Sequence, residues 1–285
     1  MKIKGNSSSG KSYNLKEVTK NYKRIEMNLL NNKHRTNNFT IVFFHGTNHA
    51  SLKYNYTFED GNVRKNYFLD KLGNIANLFL YDRPEEILRF NYEEGKSNCN
   101  VDYPNYTLES HVTNLYQFLL HEKVKPPFVL VSHSIGALYA LKFAQKYPEE
   151  TRHVFLIDPT QYTEKIAKEF SFPPLSHYEI KNYLEIINTP KSSKKSVEKS
   201  LQALDSNTYS IPYFKPKLEC PLTAFFNVDT KSNVHDKFTL PYVEELKKYN
   251  PSMTNYFFYD RDHYLNETNP QGIVTKIRKE LENSN

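Results

Sequence analysis

The chain has no tryptophan, only two cysteines and no apolar run long enough to cross a bilayer. A membrane-spanning helix needs about 20 mostly apolar residues, so no spanning segment is expected. Cys99 and Cys220 stand far apart and match no metal-ligand spacing such as C-x-x-C. A disulfide framework and a thiolate metal site are therefore both unexpected. The stretch from Met1 to Lys11 is polar and lacks the apolar core of a signal peptide, which points to a cytoplasmic protein with reduced thiols. Charge of one sign is also missing as a block. The 38 Lys and Arg against 32 Asp and Glu leave a formal charge of +6, but the two signs are interleaved. The densest basic run, Lys191 to Lys199, is broken by serines and a glutamate, the pattern of a solvated face rather than of a nucleic-acid interface.

Short buried strands alternating with helical segments are what the chain does contain. Phe39 to Phe44, Leu78 to Tyr81, Phe128 to Val131 and Val154 to Ile157 are almost continuously apolar, as strands covered on both faces must be. Lys23 to Leu30 has weaker strand character. Helical segments are expected at Tyr67 to Ile75 and from Gly136 to Tyr147, where Pro148 stops the helix. Leu108, Val112, Leu115, Phe118 and Leu119 recur at helical spacing between them. Leu222 to Val228 and Thr254 to Tyr259 supply two more strands, and Ile273 to Leu281 a closing amphipathic helix. The order predicts an α/β fold with a mostly parallel central sheet and helices on both faces. Residues 159–220 are charged, helical and punctuated by proline, too long for a connection, and are expected to form a helical cap. The expected organisation is a disordered tail over 1–12, a core over 13–158 and 221–285, and the cap between its halves.

The segment Phe128 to Tyr139 carries the strongest chemical signal. A strand that passes into a helix within a few residues must turn sharply, and small residues two before and two after the central one let the turn close. Ser132 and Gly136 flank Ser134 in this way, in a G-x-S-x-G pattern with serine replacing the first glycine. The turn pushes the Ser134 hydroxyl above the sheet at a helix start, where backbone N–H groups face developing negative charge. A second pattern, Gly5 to Ser12, fits the letters of the phosphate loop G-x-x-x-x-G-K-[ST]. That loop requires a buried strand before it and a helix after it, and only four residues precede Gly5. Nucleotide binding is not expected there.

Three places make the chain resemble the α/β-hydrolase superfamily, in the branch of cap-bearing serine esterases, lipases and proline iminopeptidase-like enzymes. Phe43-Phe44-His45-Gly46-Thr47 looks like its strand, His-Gly and oxyanion residue. Ser132 to Ala144, followed by Tyr147-Pro148-Glu149, looks like the elbow and its helix. Asp262-His263-Tyr264-Leu265, followed by Asn269-Pro270, looks like the loop of the catalytic histidine. The resemblance implies the α/β-hydrolase fold, Ser134 as nucleophile, His263 as general base, and an oxyanion hole from the N–H groups of Thr47 and Ile135. It implies Asp229, after the strand Leu222 to Val228, as the acid, with Asp158 as the alternative. The sequence reads Phe226-Asn227-Val228-Asp229 where the family more often has a glycine and two acids. No metal or organic cofactor is implied. The expected substrate is a small to medium carboxylic ester or an amide, and the rival expectation is a non-catalytic ligand receptor or scaffold on the same fold.

Overall fold

The computed structural model describes residues 38–46, 67–81, 108–160, 217–231, 239–259, 261 and 263–283, with the backbone of four further strands. The strands in chain order are β1 (Lys11–Asn14), β2 (Glu26–Leu30), β3 (Thr40–Phe44), β4 (Tyr56–Glu59), β5 (Asn62–Lys65), β6 (Asn77–Tyr81), β7 (Phe128–His133), β8 (Thr151–Ile157), β9 (Leu222–Val228) and β10 (Thr254–Tyr259). Eight of them form one sheet in the order β1-β2-β6-β3-β7-β8-β9-β10. From β6 to β10 every pairing is parallel, and β1 and β2 join antiparallel at one edge. The helices are α1 (Tyr67–Gly73), α2 (Leu108–His121), α3 (Gly136–Lys146), α4 (Leu240–Tyr249), α5 (Leu265–Thr268) and α6 (Pro270–Asn283).

The apolar runs of the sequence acquire their reason in the two cores. Val42, Phe44, Leu130, Leu156 and Phe226 point to one face of the sheet, where α2, α3 and α4 bring Phe118, Phe143, Tyr242 and Leu246. Ile41, Phe43, Val129, Val131, Phe155 and Phe225 point to the other, where α1 and α6 bring Phe68, Leu72, Ile273 and Ile277. Neighbours along a strand face opposite ways, so a strand covered on both sides must be apolar at every position. Val112, Leu115, Phe118 and Leu119 form the buried stripe of α2, as their spacing predicts. Its end is closed by Lys123 at φ 58°, with Val124 N–H donating to Leu119 C=O and Lys123 N–H to Leu120 C=O, the Schellman arrangement. Glu109 on α2 pairs with Lys142 and Lys146 on α3, tying together the two helices behind the elbow. Burial works against the Glu109 charge, but the two ammonium groups outweigh it and hold the carboxyl below its usual range.

Several expectations need adjusting. Lys11 and Ser12, expected in the tail, lie in β1, and the residues that would open a helix in a phosphate loop are extended instead. The hairpin β4-β5 went unanticipated, although Asp60-Gly61 between its strands is a hairpin signal. So did α4, whose Tyr242, Val243, Leu246 and Tyr249 are buried at helical spacing. The cap expected over 159–220 lies outside the described residues, apart from 159–160 and 217–220. No helix among the described residues is long and apolar enough to cross a membrane.

Candidate active site

The carboxyl ends of β7, β8 and β9 converge on one place. Ser134, directly after β7, has φ 52°, a left-handed conformation that a non-glycine residue adopts only at a cost. The elbow can hold it because its flanks are small or satisfied. Ser132 is fully buried, and its hydroxyl donates to Phe155 C=O at 3.2 Å, so serine serves where the motif has glycine. Gly136 admits no substitute: a Cβ there would lie 2.3 Å from Phe44 O and 2.9 Å from His45 O. A Cβ on Gly46 would lie 3.1 Å from Ser134 Cβ, so the chain after β3 passes close beside the elbow.

His263 reaches over this serine from the loop after β10. Its Nε2 is 2.9 Å from Ser134 Oγ, and its Nδ1 is 2.6 Å from Asp158 Oδ2. The Asp158 side chain is only 9% exposed, against 46% for His263, so the carboxylate is sheltered while the imidazole stays half-exposed. Asp158 has φ 37°, the second left-handed residue of the site.

The geometry brings to His263 the alternative carboxylate and not Asp229, the first expected. Asp229 is exposed, and its Oδ1 accepts the Lys231 N–H two residues on. Asp158, the alternative, is the carboxylate against His263. The physical reason lies in the ladder. Asp158 N–H donates to Phe225 C=O, and regular parallel pairing would send Asn227 N–H to the Asp158 carbonyl. Because the backbone turns away at Asp158, Asn227 N–H instead meets the carboxylate Oδ1 at 2.9 Å. That bond holds the Asp158 carboxylate between β8 and β9 with Oδ2 facing the imidazole.

The serine is tied to the same strand end. Ser134 N–H donates to Ile157 C=O at 3.1 Å. The reciprocal donor would be residue 159, but proline has no N–H, and Thr160 N–H supplies the bond to Ser134 C=O at 3.2 Å. The Thr160 hydroxyl lies 3.4 Å from Ser134 Oγ, a neighbour of the serine that sequence reasoning missed. Its signal was its place two residues past a strand-end Asp.

The remaining expected residues divide in two. Ile135 and Gly136 precede the first intrahelical donors, Ala137 N–H to Ser134 C=O and Leu138 N–H to Ile135 C=O, so their own N–H groups stand at the open start of α3. Thr47 lies outside the described residues. The histidines of the two motifs are bound to backbone: His45 Nδ1–H donates to Gly46 C=O at 2.8 Å, and His133 Nε2–H donates to His263 C=O at 2.9 Å. No cluster of His, Cys, Asp and Glu suited to a metal ion occurs among the described residues.

No family model matches the sequence. A 71-residue stretch is 30% identical to an uncharacterized protein, YbdG, of Bacillus subtilis (strain 168). It spans 24% of this chain and 22% of that relative. Likeness to solved structures is broader. An alpha/beta hydrolase enzyme from the metagenome of lagoon sediments at Mar Chica, Morocco, is 13% identical at a TM-score of 0.55, covering 90% of this chain and 95% of its own. Carboxylesterase CesB of Bacillus subtilis is 10% identical at a TM-score of 0.57, covering 96% and 92%. A putative lipase of Acinetobacter baumannii AYE is 17% identical at a TM-score of 0.57, covering 97% and 92%. Strand order, elbow and these likenesses together make the chain an α/β-hydrolase-fold protein.

Proposed function

We propose that the protein is a serine hydrolase that cleaves a small to medium carboxylic ester, or an amide, through an acyl-enzyme on Ser134. The observation that carries this reading is the unbroken line from Ser134 Oγ to His263 Nε2 and from His263 Nδ1 to Asp158 Oδ2, at 2.9 and 2.6 Å. An Asp against Nδ1 keeps the proton on that nitrogen and leaves the Nε2 lone pair for the serine hydroxyl.

The steps follow from those contacts. His263 Nε2 takes the Ser134 proton as Oγ attacks the substrate carbonyl carbon, and the imidazolium so formed is stabilised by the Asp158 carboxylate. The negative charge moves to the carbonyl oxygen, which the Ile135 N–H and, by family resemblance, the Thr47 N–H would receive. One fixed donor of this kind is worth about 3 kcal/mol of barrier. His263 then gives its proton to the departing alkoxide or amine, and water, deprotonated by the same nitrogen, releases the acid and frees Ser134.

Three features weigh against a non-catalytic scaffold. Two residues are held at left-handed φ, a carboxylate is sheltered behind the histidine, and all of it faces one point. A scaffold has no use for that cost. The test is hydrolysis of p-nitrophenyl esters of increasing chain length by the parent and by Ser134→Ala. Turnover by the parent and none by a folded Ser134→Ala supports the reading, and equal turnover by both removes it.

A further inference from the structure

Asn227 stands where β9 ends, between the acid and the histidine loop, and does two things at once. Its backbone N–H donates to Asp158 Oδ1 at 2.9 Å, and its side-chain Oδ1 accepts the Arg261 N–H at 3.1 Å. Arg261 lies two residues before His263 in the same loop. At His263 itself, His133 Nε2–H holds the His263 carbonyl. The loop is thus pinned before His263 by the neighbour of the acid and at His263 by the neighbour of the nucleophile.

We infer that Asn227 is a positioning residue for the reaction proposed above: it joins the Asp158 carboxylate and the His263 loop into one unit. Each half of the residue acts separately. The main chain fixes the acid, in place of the ladder bond that the turn at Asp158 removes. The side chain sets how far the histidine loop stands from the acid, and so maintains the 2.6 Å and 2.9 Å contacts on either side of the imidazole. His263 is half-exposed and lies in a loop, so packing alone does not fix it. The side-chain amide oxygen accepts the Arg261 N–H, while the bond to the acid is made by the backbone N–H alone.

The two contributions can be separated, because substitution of the side chain leaves the backbone donor in place. Asn227→Ala removes the acceptor for Arg261 N–H, whereas Asn227→Asp keeps an oxygen there. Both variants are compared with the parent on p-nitrophenyl acetate, with kcat expressed per serine titrated by a fluorophosphonate, and with Ser134→Ala as a control whose rate is expressed per chain. Misplacement of a reacting group by about 1 Å costs on the order of a hundredfold in rate. Asn227→Ala is therefore expected to lose about tenfold to a hundredfold in kcat per titrated site with KM within about twofold, and Asn227→Asp to recover most of it. A general loss of structure would instead lower the number of titrated sites and leave kcat per site unchanged. The inference is overturned if Asn227→Ala keeps the parent kcat per site, or if Asn227→Asp is as impaired as Asn227→Ala. Should Asn227→Ala fail to fold, parent-like kcat per site in Asn227→Asp supports the inference and an Ala-like loss overturns it. Retained turnover in Ser134→Ala is a different outcome: it removes the proposed function, and the inference falls with it.

Discussion

Replacing Asp158 by Asn changes no more than one oxygen into an NH2, yet the contacts around it decide the outcome. The Asn227 N–H requires an acceptor at the position of Oδ1, so the amide oxygen must go there. The NH2 then faces His263 Nδ1, 2.6 Å from the present Oδ2. The opposite orientation would set the NH2 against the Asn227 N–H, donor to donor. With an amide donor facing it, Nδ1 must carry the lone pair and Nε2 the hydrogen, so Ser134 Oγ at 2.9 Å meets an N–H where it needs a base. In the serine-protease template this swap of tautomer lowers kcat by about four orders of magnitude, or about 5.4 kcal/mol of barrier. A similar loss is expected for Asp158→Asn with the fold retained. Asp229→Asn is expected to stay within a few-fold of the parent, because the Asp229 carboxylate is exposed and accepts the backbone N–H of Lys231 rather than facing His263. The assay is p-nitrophenyl acetate hydrolysis by both variants at matched circular dichroism. Asp158→Asn within tenfold of the parent, or Asp229→Asn down a hundredfold, would refute the reasoning.

Three further outcomes follow from the described contacts. Burial, reinforced by the neighbouring Arg152, depresses His153 to about 3 from its ordinary 6.5, so the folded protein keeps this imidazole neutral while the unfolded chain protonates it. The stability it contributes is whole above pH 6.5 and lost progressively as pH falls toward about 3, up to several kcal/mol in all. Urea titrations at neutral and mildly acid pH should show that fall, and His153→Phe should flatten it; an unchanged slope would count against the assignment. Gly136→Ala should destabilise by about 1–3 kcal/mol or more and impair turnover, since its Cβ would meet Phe44 O at 2.3 Å. An unshifted melting temperature would contradict that close approach. Ser132→Ala should cost about 1 kcal/mol for the lost bond to Phe155 C=O while turnover persists, as a thermal melt and an ester assay would show together.

The sheet was legible in the sequence because each parallel strand is apolar on both faces, and Phe128 to Val131 or Leu222 to Val228 admit few other readings. The elbow was legible for a steric reason: Gly136 cannot carry a side chain, and the demand shows as a letter. The acid was harder. Asp158 and Asp229 both follow buried strands, and which carboxylate turns inward depends on the left-handed φ of Asp158 and on the Asn227 N–H that meets it. Neither is written in local pattern, although Pro159, with no N–H for the ladder, marks where regular pairing ends. Helix α4 announced itself through Tyr242, Val243, Leu246 and Tyr249 but was overshadowed by the strands on either side. Thr160 and Asn227 gain their importance from neighbours 26 and 69 residues away, a proximity that only the folded sheet creates.

The most direct test of the central claim is the site of covalent capture. The protein is treated with a fluorophosphonate at neutral pH, its intact mass recorded, and its peptides mapped. One adduct per chain, on Ser134 within the peptide spanning Val131 to Gly136, with labelling slowed by orders of magnitude in Asp158→Asn, is the expected result. A folded protein that takes up no label, or takes it on a serine other than Ser134, would contradict the account.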